Sequence, residues 1–90
     1  MEDKQKKAVA LKYRHGQDNA PKVVAKGTGI VAERIIELAK QHNVHVTEDQ
    51  HLVEVLSTLE VYQEIPVELY KAVAQILIFV YKMAKSDDER

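Results

Sequence analysis

Four histidines are the residues best equipped for metal chemistry, because a neutral imidazole nitrogen binds zinc or copper readily. His42 and His45 stand three apart and His51 follows, but His42 ends an expected helix while His45 sits in an expected strand. They therefore share no helical face, and no carboxylate pair at ligand spacing completes a site. The histidines read as surface or partly buried imidazoles, and no metal is expected. Lys26-Gly27-Thr28-Gly29 ahead of a helix looks like a phosphate cradle, since free amides at a helix start attract anions. Both Gly-x-x-x-x-Gly-Lys-Ser/Thr and Gly-x-Gly-x-x-Gly are absent, which leaves a strand-to-helix turn. The chain has no cysteine, which removes thiolate nucleophiles, disulfides and cysteine-held zinc or iron–sulfur sites. Ser57 and Ser86 lack any nucleophile context, and the fourteen carboxylates are scattered. No catalytic constellation emerges, so the expectation is a non-enzyme without a cofactor.

The elements that would carry any binding site follow from periodicity. Val9, Leu11 and Tyr13 alternate over Ala8 to Tyr13 and predict a first strand. Arg14 to Ala20 holds Gly16, Asp18 and Asn19, residues suited to turns, and Pro21 precedes a short second strand over Val23-Val24-Ala25. Lys26 to Gly29 should break that strand, with Thr28 as the cap of a helix ending near Asn43. Val31, Ile35, Leu38 and His42 mark its stripe. Val44 and Val46 around His45 predict a third strand, parallel to an earlier one. Thr47 with Gln50 forms a capping-box pattern, Asp49 being the rival cap, for a helix over about Gln50 to Leu59. Pro66 suits the first turn of a last helix running to about Lys85. That helix is apolar over more than half its circumference, which makes it central or bordered by an exposed apolar groove.

Ninety residues hold one domain, expected here as a charged arm over 1–7, a folded body over 8–85 and a disordered tail over 86–90. The fold class is α/β, a small and mainly three-stranded sheet packed by three helices. With 46% hydrophobic and 30% charged residues the chain should fold, though a domain this small buries only about 60–65% of its unfolded surface. A formal net charge of −1 argues against a nucleic-acid partner. Residues 1–45 carry nine Lys/Arg against five Asp/Glu (net +4), and residues 46–90 four against nine (net −5), an asymmetry typical of solvated surface. The apolar run from Ile76 to Tyr81 is far short of the roughly 20 residues that cross a bilayer. Direct membrane insertion is not expected, and a cytoplasmic address is.

Three ordered segments carry a family resemblance: Ala8-Val9-Ala10-Leu11-Lys12-Tyr13, Ala20-Pro21-Lys22-Val23-Val24-Ala25-Lys26-Gly27, and Glu64-Ile65-Pro66-x-x-Leu69-Tyr70-x-Ala72-Val73-Ala74. Together they resemble the cytoplasmic C-terminal domain of the FlhB family, the substrate-specificity switch of the flagellar type III export apparatus, with relatives in virulence secretion. The similarity spans about residues 8–84. It implies a domain at the inner-membrane export gate that recognises export substrates and switches between their classes.

Departures from the family pattern carry their own expectations. The family's Asn-Pro-Thr-His cleavage motif is matched here by Asp3-Lys4-Gln5-Lys6, so the asparagine that performs self-cleavage is missing. The preceding transmembrane helices and linker are also missing, which implies a stand-alone relative equivalent to the post-cleavage fragment. Glu54 replaces an arginine in Asp49-Gln50-His51-Leu52-Val53-Glu54 and Val44-His45 replaces Val-Pro; the reversed charge implies an altered partner contact at Glu54. The family's apolar substrate pocket maps onto Ala20, Pro21, Ala74 and Leu77, which suit an extended hydrophobic segment and could equally be plain core. The family's strand that pairs with Ala8 to Tyr13 is also missing, which implies an open edge at Val9, Ala10, Leu11 and Lys12. That edge could accept a strand from a partner or a second copy, with Lys4, Lys6, Lys7 and Lys12 as its charged defence.

The functional expectation is a non-catalytic module that binds export substrates or export-gate components, in the cytoplasm or at the periphery of the membrane apparatus. The alternative is a general protein-interaction paralogue serving another complex.

Overall fold

The computed structural model describes residues 6–14 and 16–78. Strand β1 (Lys7–Lys12) pairs antiparallel with β2 (Lys22–Thr28), Ala8 opposite Gly27 and Ala10 opposite Ala25, with a bulge between Ala10 and Leu11. Alternation across this register sorts the side chains by size. Ala8, Ala10, Ala25 and Gly27 make one face, while Val9, Leu11 and Val23 share the other with Lys7 and Lys26.

Helix α1 (Ile30–Gln41) seats on the small face, where a β-carbon on Gly27 would strike the Val31 side chain and come within 3.3 Å of its backbone carbon. Helix α2 (Gln50–Leu56) and a last helix α3, described over residues 70–78, serve the large face. There Ala20, Val23, Leu56, Leu59, Ile65 and Val73 are buried together, with Val9, Leu11, Leu52, Leu69 and Leu77 packed around them.

The expected third strand at Val44–Val46 does not form. Asn43 takes a left-handed φ of 61°, and the Val44 amide donates back to the Ala39 carbonyl at 2.8 Å, so the chain remains tied to the end of α1. Val44 and Val46 stay exposed. Among the described residues the sheet has two strands, not three. Its free β2 edge is met instead by residues 62–65. Tyr62 donates to the Val23 carbonyl (2.6 Å), Val23 to Gln63 (2.9 Å) and Ile65 to Pro21 (2.9 Å), around a single bridge between Lys22 and Glu64.

Other boundaries move for local reasons. Strand β2 runs through Lys26-Gly27-Thr28, where a break was expected, because Gly27 and Thr28 find ladder partners in Ala8 and Lys7. Gly29, at φ 60°, then takes the N-cap position expected of Thr28. Asp49, not Thr47, caps α2, its carboxylate accepting from the Leu52 amide at 3.0 Å. That helix stops at Leu56 instead of Leu59 because Ser57 and Thr58 turn their hydroxyls onto the Glu54 and Val55 carbonyls (2.8 and 2.7 Å). Pro66 caps a 3-10 turn, Val67–Leu69, that leads into α3. The start of the charged arm, the extension of α3 toward Lys85 and the tail over 86–90 lie outside the described residues.

Candidate functional site

Ala20 and Pro21 close the loop between the strands and are both buried, Ala20 at 2% exposure. Ala74 and Leu77 lie three apart on α3 and are half-buried. Leu77 packs against the cluster that contains Ala20, so these two contribute to one apolar region from opposite ends of the chain. The Ala20–Pro21 side is bordered by the following chain: the Ile65 amide bonds the Pro21 carbonyl, and the Ile65 side chain is buried in the same cluster as Ala20. A shallow charged hollow lined by Lys6, Glu33, Ile36, Glu37 and Lys40 shares no residue with this region.

The outer edge of β1 follows from its register. The Gly29 amide bonds the Lys6 carbonyl at 2.7 Å, and in antiparallel pairing alternate residues exchange hydrogen bonds, so Ala8 and Ala10 also face β2. Lys7, Val9 and Leu11 accordingly direct their N–H and C=O groups away from it. Among the described residues no third strand meets them. Of the four edge residues singled out from sequence, Val9 and Leu11 hold the outward backbone groups, whereas Ala10 and Lys12 have theirs turned to β2.

Glu54 is paired within the chain, accepting from Lys7 Nζ at 2.9 Å, with both side chains in contact with solvent. The Lys26-Gly27-Thr28-Gly29 segment, expected as a strand-to-helix turn and not as a phosphate cradle, is engaged internally. Its Gly29 amide is held by Lys6, and Lys26 Nζ donates to the Ser57 and Leu59 carbonyls (3.1 and 2.6 Å). Lys26 thus closes the C-terminal end of α2 with a charge-assisted cap, a role sequence reasoning missed. Its signal was a lysine placed beside Val9 on the large face of the sheet. In the hairpin loop, Asp18 accepts from the Arg14 amide at 2.8 Å. That hydrogen bond, aided by the nearby guanidinium, holds the carboxyl below its ordinary range. No grouping of His, Asp or Glu suited to a metal occurs among the described residues.

Tyr62 is the second feature that periodicity did not reveal. Gln63 donates to the Glu60 carbonyl at 3.0 Å, closing a turn with Val61 and Tyr62 at its centre, and Tyr62 has φ 76° while 73% exposed. A positive φ at the second central residue alone defines a type II turn, which glycine or asparagine normally fills.

In sequence and in fold the chain matches known proteins. The FlhB HrpN YscU SpaS family profile matches residues 5–80. The chain belongs to this family. It is similar to YlqH of Bacillus subtilis, at 47% identity over 81 residues, covering 90% of this chain and 87% of that one. FlhB of Aquifex aeolicus is 43% identical over 74 residues, 81% of this chain but 21% of that flagellar biosynthetic protein. The chain therefore spans about a fifth of the FlhB proteins it matches. Among solved structures, the cytoplasmic domain of FlhB from Shewanella putrefaciens superposes with a TM-score of 0.82 at 35% identity, covering 94% of this chain and 67% of that one. The PscU C-terminal domain gives 0.78 at 29% identity, covering 83% and 96%. No described helix is long and apolar enough to cross a membrane.

Proposed function

We propose that the protein is a non-catalytic protein-binding module of type III export. It takes an extended apolar segment of an export substrate, or of an export-gate component, against Ala20, Pro21, Ala74 and Leu77. The observation that carries this reading is the convergence of Leu77 with the Ala20 cluster, half-buried and so reachable at its outer side. Family membership supports a setting in the cytoplasm at the periphery of the membrane apparatus. Asp3 stands where the self-cleaving relatives place asparagine, which supports binding without self-cleavage.

A second contact is favoured by the outward N–H and C=O groups of Lys7, Val9 and Leu11, which suit strand addition by a partner or a second copy. Glu54, held by Lys7, presents a carboxylate beside that edge and redirects whatever contact an arginine would make there.

The test is recovery of flagellar export substrates and soluble gate domains on immobilised protein, comparing wild type with Ala74→Asp and Val9→Pro. Ala74→Asp places a charge on the apolar wall and should lower recovery at least tenfold, the effect of an unpaired charge in a dry contact. Val9→Pro removes one outward amide from the edge and should weaken strand addition, compared with Val9→Ala as the control for lost packing on the core. Undiminished recovery by folded Ala74→Asp would reject the apolar site, and undiminished recovery by Val9→Pro would reject the edge. If wild type recovers no export protein at all, the general interaction-module reading takes precedence.

A further inference from the structure

Ala20 and Pro21 are buried, so a partner reaches them only when something moves. What borders them is short, held by few main-chain bonds and by the Ile65 side chain buried in the cluster. Residues 62–65 run along the Pro21–Val23 edge on the three hydrogen bonds described above, and one end of this stretch is the Glu60–Gln63 turn.

We infer that residues 60–65 form a strap over the Ala20–Pro21 corner, with the Val61–Tyr62 peptide as its release point. Three observations converge there. Tyr62 holds a left-handed backbone that its side chain disfavours. Its ring is largely exposed, so packing gives little compensation. The conformation secures one specific bond, from the Tyr62 amide to the Val23 carbonyl.

Rotating the Val61–Tyr62 peptide converts a type II turn to type I. Tyr62 then gains a negative φ and the Gln63-to-Glu60 bond survives, while the Tyr62 N–H swings away from Val23. The relief of left-handed strain and the loss of one hydrogen bond are of similar size, which makes the two turn states close in free energy. The flip removes one of the strap's anchors, leaving the pairs Val23–Gln63 and Ile65–Pro21 to open together. This inference rests on the apolar-site reading and adds its gating.

Native-state hydrogen exchange read amide by amide tests it on the isolated chain. The Tyr62, Val23 and Ile65 amides should exchange about tenfold or more faster than the Ala8 and Ala10 amides, which face β2, because partial opening precedes global unfolding. Tyr62→Gly removes the strain and should slow the three strap amides by roughly three- to tenfold relative to Ala8 and Ala10. Equal protection of strap and ladder, or equal slowing of both by Tyr62→Gly, would overturn the strap. The two readings fail separately. An opening strap combined with full substrate recovery by Ala74→Asp sinks the apolar site and leaves the strap, while uniform protection with recovery abolished does the reverse.

Discussion

Lys26 shows how one side chain can join two elements that share no hydrogen-bonded ladder. Its ammonium is half-buried, and its two carbonyl partners, Ser57 and Leu59, sit where α2 has ended and the chain turns toward the strap. Hydrogen bonds to a charged donor contribute about 1.5–3 kcal/mol, more than neutral ones, and a lost donor leaves carbonyls poorly solvated. Lys26→Met keeps the aliphatic stem and removes the donor. It should lower unfolding free energy by about 1–3 kcal/mol in urea titrations, and Lys26→Arg should restore part of that. A midpoint for Lys26→Met equal to wild type would show the cap to be idle. The Lys7–Glu54 pair contrasts with it. Both groups reach solvent, so the pair contributes less than about 1 kcal/mol and bears on partner choice more than on stability.

At the scale of elements, the decisive junction is β2 against α1. Strand Gly27 faces helix Val31 so closely that no β-carbon fits without displacement. Gly27→Ala should destabilise the fold by about 1–3 kcal/mol through overpacking, because the β-branched valine cannot turn freely out of the way. Val31→Ala in the same chain should recover most of the loss, giving a coupling of about 1 kcal/mol or more in a double-mutant cycle. Additive effects would mean that α1 does not rest where it is described. The same junction explains why β2 outlasts its expected end. Glycine is a poor strand residue in isolation, yet here it allows a helix to lie directly on the sheet, and that packing outweighs the local preference.

The whole molecule is held by a modest core, and its stability should reflect that. Val23 and Val73 are the most deeply buried large side chains, at 0 and 1% exposure. For 90 residues the net stability is about 5–13 kcal/mol. Val73→Ala, which removes two buried methyl groups, should cost about 1.5–3 kcal/mol and lower the melting temperature by roughly 5–15 °C. An unchanged melting curve would place Val73 outside the structural centre. Much of this architecture was legible from residue order. The hairpin strands, α1, the start of α2 and the Pro66 entry into the last helix all follow from alternation, capping and turn chemistry. Val44–Val46 was misread because three alternating residues satisfy a strand pattern without guaranteeing a neighbour, and Asn43 had already turned the chain aside. The strap was invisible for the converse reason. Gln63-Glu64-Ile65 shows no periodicity, and its extended form comes from bonds to Pro21 and Val23 some forty residues earlier. At the apolar site, the resemblance could name Ala20, Pro21, Ala74 and Leu77, but burial of Ala20 among Leu56, Leu59, Ile65 and Val73 is set by contacts distant in sequence.

The alanine and glycine face of the sheet limits what evolution or selection can do with the fold. Helix α1 packs on the face made by Ala8, Ala10, Ala25 and Gly27, and at Gly27 a β-carbon would strike Val31. A library randomising these four positions should return survivors restricted to the smallest amino acids, whereas one randomising Val9, Leu11 and Val23 should return many aliphatic combinations. Diversification of this protein would then be channelled to one side of its two-stranded sheet.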